Sequence, residues 1–154
     1  VATTKAAYAS SASITITLNS LGSGSAREST AIDNTSNLYL DAHVRVTVNV
    51  GSVTGAPQAL VYAYGSEDGS LYPDTVTGSD AGITLENPTV IRLAATIPTP
   101  TGSKAYESDV FSIARLYGGV LPRKWGIVVV NSTGAALSGS GNSASYTGIN
   151  LTAA

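Results

Sequence analysis

His43 is the only histidine in this 154-residue chain, so any Ser-His-Asp relay has to run through it. Asp41 and Arg45 flank it two residues to either side, which on a strand is the same face. A carboxylate beside a histidine can orient a general base. The same three residues on an outward strand face also form an ordinary polar ladder, which is the reading the surrounding alternation favours. Glu67, Asp68, Asp74 and Asp80 crowd one loop region and offer the oxygens that hold Ca²⁺. Their spacing departs from the EF-hand pattern, and Ser66–Ser70 (SEDGS) is equally a turn. With ten acidic residues, no one pair stands out as a glycosidase couple. Eight tyrosines and Trp125 raise sugar stacking as a possibility, but Trp125 opens an apolar run and Tyr62 and Tyr64 sit mid-strand, so packing is expected of them. Asn131-Ser132-Thr133 and Asn150-Leu151-Thr152 match the glycosylation triplet, a pattern common by chance. These residues assign no catalytic, cofactor-binding or metal-binding set, and the chain is expected not to be an enzyme.

The element that must carry His43 is Leu38–Val50 (LYLDAHVRVTVNV). Every even position is apolar and every odd one polar or amphipathic, a period of two that a helix cannot produce. At about 3.3 Å per residue it predicts a strand of roughly 40 Å with its even residues inward. Around it the pattern predicts strands over Ser13–Leu18, Gln58–Tyr64, Ile83–Leu85, Thr89–Thr96, Trp125–Asn131 and Ala144–Leu151, and a possible short one at Thr75–Thr77. Gln58–Tyr64 is expected to pair with the long strand. Ser108–Tyr117 fits both periods and is read as a strand because Gly118-Gly119 ends it. Asn19–Asn37, Gly51–Pro57, Gly65–Gly82, Ile97–Lys104 and Ser132–Ser143 read as loops. Eight or nine strands in one domain predict an all-β, antiparallel β-sandwich over residues 13–154, jelly-roll-like in its connections. Residues 1–12, small and polar, are expected to form an extended N-terminal arm that finds order only against a neighbour.

Composition narrows the functional classes. Charged residues make up 12% of the chain and the net charge is −2, with no basic cluster larger than Arg123-Lys124, so a nucleic-acid partner is not expected. No apolar run approaches the ~20 residues that span a bilayer, and no membrane partner is expected. Cysteine is absent, which removes disulfides and thiolate metal sites. Methionine is absent too, so Val1 is expected to be a processed start; no signal peptide is recognisable after it. A surface this poor in charge suits something secreted, adhesive or assembled, because few charges must be desolvated when faces meet.

Leu121–Asn150 carries Pro122, Arg123, Lys124 and Trp125-Gly126, then Val128–Val130, Asn131, a Thr133–Leu137 turn and Tyr146–Ile149. This order resembles the C-terminal portion of small virion proteins of tailed bacteriophages. The resemblance implies a structural particle component, most simply a capsid decoration (cement) protein on the virion surface. Its implied partners are the major capsid protein or other virion proteins, with homo-oligomers in the assembly. It carries no site residues across. The alternative that composition leaves open is a carbohydrate-binding or adhesive β-sandwich module; the resemblance equally implies a tail-associated virion protein as an alternative.

Overall fold

The computed structural model describes residues 3–153; Val1, the expected processed start, and Ala2 and Ala154 lie outside the described residues. The described chain is an all-β antiparallel sandwich. Its strands are β1 (Thr4–Tyr8), β2 (Ala12–Ser13), β3 (Ala26–Glu28), β4 (Ile32–Asp33), β5 (Asp41–Val50), β6 (Gln58–Ser66), β7 (Ala81–Ile83), β8 (Arg92–Pro98), β9 (Lys104–Glu107), β10 (Phe111–Ser112), β11 (Lys124–Ser132) and β12 (Ser143–Ala153). One sheet runs β1-β12-β5-β10, with β2 also on β12 and β9 also on β5; the other runs β7-β3-β11-β6-β8, with β4 also on β11.

The alternation of the long strand fixes the interior. Ala42, Val44, Val46, Val48 and Val50 have no solvent exposure, while Asp41, His43, Arg45, Thr47 and Asn49 face outward. Burying a valine side chain contributes roughly 1.5–3 kcal/mol over leaving it exposed. Val61 and Ala63 of β6 and Ile127 and Val129 of β11 close the same core from the opposite sheet. Trp125, 1% exposed, meets Tyr146 of β12 edge to face across it, with ring centroids 5.2 Å apart.

Several expectations need correction. The strand begins at Asp41 rather than Leu38, because Asn34 closes a loop just before it. The Asn34 amide donates to Tyr39 O and its Oδ1 accepts from Tyr39 N, while Leu38 takes a left-handed φ of 53°. Leu38 and Leu40 are consequently exposed, at 70% and 41%. Gln58–Tyr64 does not pair with the long strand. It lies in the other sheet between β11 and β8, so the chain crosses the sandwich at Gly51–Pro57. Ser13–Leu18 forms no ladder beyond Ser13, because its main chain is divided between partners. Ile14 N donates to Ala144 O in one sheet, Thr15 O accepts from Thr30 N, and Thr17 N donates to Asp80. Ile14 and Leu18 are nonetheless buried, so this segment seals the side of the sandwich.

Ser108–Tyr117 splits into the two-residue β10 and a 3₁₀ turn, Ala114–Tyr117, so each of its two periods is used once. Thr75–Thr77 is not a strand, although Val76 is buried. Strands β3 and β4 lie within the stretch read as a loop over Asn19–Asn37, and β9 starts at Lys104, where the Ile97–Lys104 loop is expected to end. The expected free arm is extended but has a partner within the chain: Thr4–Tyr8 pairs with Ile149–Ala153.

Val46→Asp places an unpaired charge in this core and should abolish cooperative folding. Thr47→Lys, one residue on and opposite Glu107, should shift stability by less than about 1 kcal/mol. Thermal melts of the two variants check the register, and equal midpoints would refute it.

Candidate functional site

His43 lies on the outward face of β5 with Thr147 on one side and Ser112 on the other. Its Nε2 is 3.5 Å from Asp41 Oδ2. The Ser112 hydroxyl donates to that same Oδ2 at 2.7 Å, and Asp41 Oδ1 accepts from Ala114 N at 2.9 Å. A nucleophilic relay needs the histidine between serine and carboxylate. Here the carboxylate stands between the other two, and its backbone contact anchors the 3₁₀ turn. Arg45 reaches Glu107 at 3.6 Å, with both side chains more than half exposed, so this pair contributes little. The Tyr8 ring sits 6.4 Å from that of His43, and together with Arg45, Val110 and Thr147 they line a groove of about 340 Å³. The group is a polar ladder that also ties β10 to β5.

The four acidic residues of the loop do not converge on one point. Among the described residues no three His, Cys, Asp or Glu side chains gather as a metal would need. Each aspartate instead organises its own turn. Asp68 Oδ1 accepts from Ser66 Oγ, Ser70 N and Leu71 N; Asp74 accepts from Thr75 N, Glu86 N and the Thr89 hydroxyl. Asp80 takes Thr17 N, the Thr17 hydroxyl and Arg27 Nε, the last at 2.7 Å. Glu67 is exposed.

Sequence reasoning passed over Glu28, which is fully buried on the outer face of β3. Its two oxygens accept from Thr77 N at 3.1 and 3.0 Å, from the Thr77 hydroxyl at 2.8 Å and from Gly78 N at 2.9 Å. This carboxylate clasps the long loop onto the sheet. Beneath the loop a second apolar cluster forms from Ala26, Tyr64, Val76, Ile91 and Val128, with Tyr72 standing edge-on to Tyr64. Tyr64 O–H donates to Ser29 O at 2.6 Å, and burial pushes its phenol well above the ordinary tyrosine range. Gly126 lies directly below that ring: a Cβ there would come within 2.3 Å of it. No signal in the sequence marks Glu28 except its place in a charged stretch that turned out to be a strand.

Beside the clasped loop runs a trough of about 720 Å³. Tyr62, Val130, Ala26 and Ile83 lie along it, with Leu85, Glu86, Asn87 and Thr89 from the loop. Its one cation, Arg27, is already neutralised by Asp80. Of the other sequence candidates, Trp125 belongs to the core. Asn131 is fully buried: its amide donates to Leu21 O and Ala135 O, and its Oδ1 accepts from Thr133, so it shapes the hairpin instead of presenting a glycan acceptor. Asn150 is half-buried opposite Ala7. Compared with protein-family models, with characterised proteins and with solved structures, the chain finds no match.

Two predictions follow from the loop. Glu28→Ala strands the Thr77 and Gly78 donors, each costing about 1–3 kcal/mol when left unpaired. Urea melts should lose a few kcal/mol, and Glu28→Gln, which keeps one acceptor, should lose less. The second concerns acid. Burial raises the Asp74 and Asp80 carboxyls, but hydrogen bonds from Thr89 and Glu86, and from Arg27 and Thr17, outweigh it and hold both below the usual 3.8. A depressed folded pKa stabilises above 3.8, and that stability is lost as pH falls through the lower folded value. Amide protection factors over residues 67–91 should therefore fall before those of β11 as pH falls from about 5 towards about 1, and Asp74→Asn should flatten the response. Unchanged protection in that window would show that these carboxylates do not hold the loop.

Proposed function

We propose that this chain is a structural component of a tailed-phage virion, a capsid decoration or cement protein that binds and stabilises the outer shell. Its partners are then the major capsid protein or other virion proteins, and it sits on the particle surface as a homo-oligomer. The observation that carries this reading is an apolar end of the sandwich. Leu40 N donates to Ile149 O and Leu40 O accepts from Leu121 N, so three chain segments meet there. Around that meeting point Tyr8, Leu38, Leu40, Val120 and Leu151 are all exposed. Large apolar side chains exposed together at one end of a charge-poor surface suit a face that a partner covers.

Two further observations support the reading. The stretch that resembles small phage virion proteins supplies β11 and the first eight residues of β12, the inner strands around which the two sheets are built. The orders β2-β12-β5-β10 and β3-β11-β6-β8, in which successive strands of these eight change sheet except from β6 to β8, agree with a jelly roll of two interleaved Greek keys. That architecture recurs in viral capsid and lectin domains, an argument by analogy alone.

The trough favours a second reading, a carbohydrate-binding module. A tyrosine ring over an apolar floor, with an amide, a carboxylate and hydroxyls at the rim and no uncompensated cation, suits a neutral sugar better than a phosphate.

The deciding experiment adds purified protein to particles of the phage that encodes it, after stripping, and measures co-sedimentation. Each leucine removed from a covered contact costs about 1.5–3 kcal/mol, so Leu40→Ser/Leu151→Ser should bind about 100-fold more weakly or worse with an unaltered melt. Absence of wild-type binding would overturn the virion reading. Glycan-array binding that Tyr62→Ala abolishes would put the second in its place.

A further inference from the structure

We propose that β1 is an exchangeable strand, and that the partner it fits is a second copy of this chain: β1 of one copy occupies the β12 edge of the other, and the reverse. The inference does not rest on the virion reading, since it concerns only how two copies meet.

The slot and its occupant are both unusual in this fold. β1 is bound to β12 over five residue pairs, Thr4–Ala153 to Tyr8–Ile149. Four of its five residues are exposed and Ala7 is half-buried. None of its described side chains belongs to either apolar cluster. Main-chain hydrogen bonds are therefore almost all that hold it, and these are identical whether β1 comes from the same chain or another. Beyond Ile149, where β5 begins at Asp41, β12 continues for four residues with β1 as its one strand partner among the described residues. A two-stranded ribbon of this kind is marginal in water without further contacts.

The remaining edges are blunted in the ways that discourage pairing. β7 has three residues, β10 two, and β9 four with a charge at each end. β8 runs from Arg92 to Pro98 and meets β6 through an irregular register at Val61/Tyr62. β1, reading Thr-Lys-Ala-Ala-Tyr, carries one charge and neither proline nor glycine.

The route is short. Ala9–Ser11 joins β1 to β2 along the same β12 edge, with Ala9 N on Gly148 O. Straightening those residues redirects β1 while β2, and the Ile14 and Leu18 anchors behind it, stay in place. Because the bonds lost and gained are alike, exchange is decided by concentration and by whatever new surface the open form buries. The apolar end supplies that surface. Tyr8 lies on β1 itself and Leu151 on the β12 edge that receives it, so reciprocal exchange brings two such ends together.

The absence of cysteine makes the test direct. Ala6 and Leu151 are Cα partners. Such partners lie about 4.5–5.5 Å apart, inside the range of about 4.4–6.8 Å that a disulfide bridges. Single variants Ala6→Cys and Leu151→Cys are mixed as folded full-length protein, concentrated, oxidised and weighed intact. Exchange places the two thiols together at about millimolar effective concentration, so the mixed disulfide should exceed either same-variant dimer about tenfold or more. Diluting before oxidation should reduce it. Monomers only, or mixed and same-variant dimers in random proportion, would overturn the proposal. The double variant in one chain controls the register: closure within the chain at low concentration is expected, and failure to close at any concentration would remove the slot itself and the proposal with it.

Discussion

The constraint on which the molecule depends is that one face of β5 admits no water. Ala42, Val44, Val46, Val48 and Val50 are all without exposure, and a register shift of one residue would exchange them for Asp41, His43, Arg45, Thr47 and Asn49. Strand β5 is therefore pinned, and its neighbours inherit the register: Ala144, Tyr146 and Gly148 of β12 pair with Val46, Val44 and Ala42 and face inward with them. The glycine at 148 is part of that fit, because a Cβ there would come within 2.4 Å of the Tyr39 ring lying over it. The opposite wall, with Trp125, Ile127 and Val129 inward, leaves Val128 and Gly126 to face out. Those outward residues are why β11 is apolar without interruption and why a second layer is needed above it.

That second layer is built with few charges, and they do little ion pairing. The chain has eighteen lysine, arginine, aspartate and glutamate residues, and among the described residues the closest cation–carboxylate contact is Arg27–Asp80. The carboxylates act mainly as acceptors for backbone N–H groups. Glu28, Asp68, Asp74 and Asp80 together hold the loop that would otherwise carry unpaired donors over an apolar face. An acceptor used in this way gives direction, which the hydrophobic effect alone does not. It explains how a stretch rich in glycine, serine and aspartate covers Tyr64 and Val128 in one arrangement.

Long-range alternation was legible and local punctuation was not. The period of two in Ala42–Val50 and the apolar run Trp125–Asn131 located the two inner strands because each is a statement about burial, and burial is what sheets require. The same reasoning failed at Leu38, where an asparagine five residues from its partner closes a turn that no hydrophobic pattern records. It failed at Arg27 and Glu28, where a charged pair sits in a strand because one finds Asp80 and the other finds the loop backbone. The pairing of Gln58–Tyr64 was misplaced because adjacency in sequence says nothing about which sheet a strand enters. Of the site, the residues around His43 were identified and their order was not: that Ser112 donates to Asp41 depends on the pairing of β10, two residues long. The trough was invisible, being assembled from four separate stretches.

The same economy of charge determines how this surface can be recognised. Asp41, Arg45 and Glu107 aside, the outward face around β5 and β12 presents hydroxyls, His43, Asn49 and aliphatic side chains, and its open end presents leucine, valine and tyrosine. An interface made there gains little from Coulomb attraction and loses little to screening, since salt acts on charges that are mostly absent. It gains from apolar burial and from main-chain pairing at an edge, which strengthen in sulfate or phosphate. Specificity must then come from shape and strand register rather than from charge complementarity, and register is the property that β5 enforces most strictly. A sandwich whose interior depends on exact alternation thus offers at its rim the same kind of information: a fixed phase of hydrogen-bonding groups that only a strand in matching register can read.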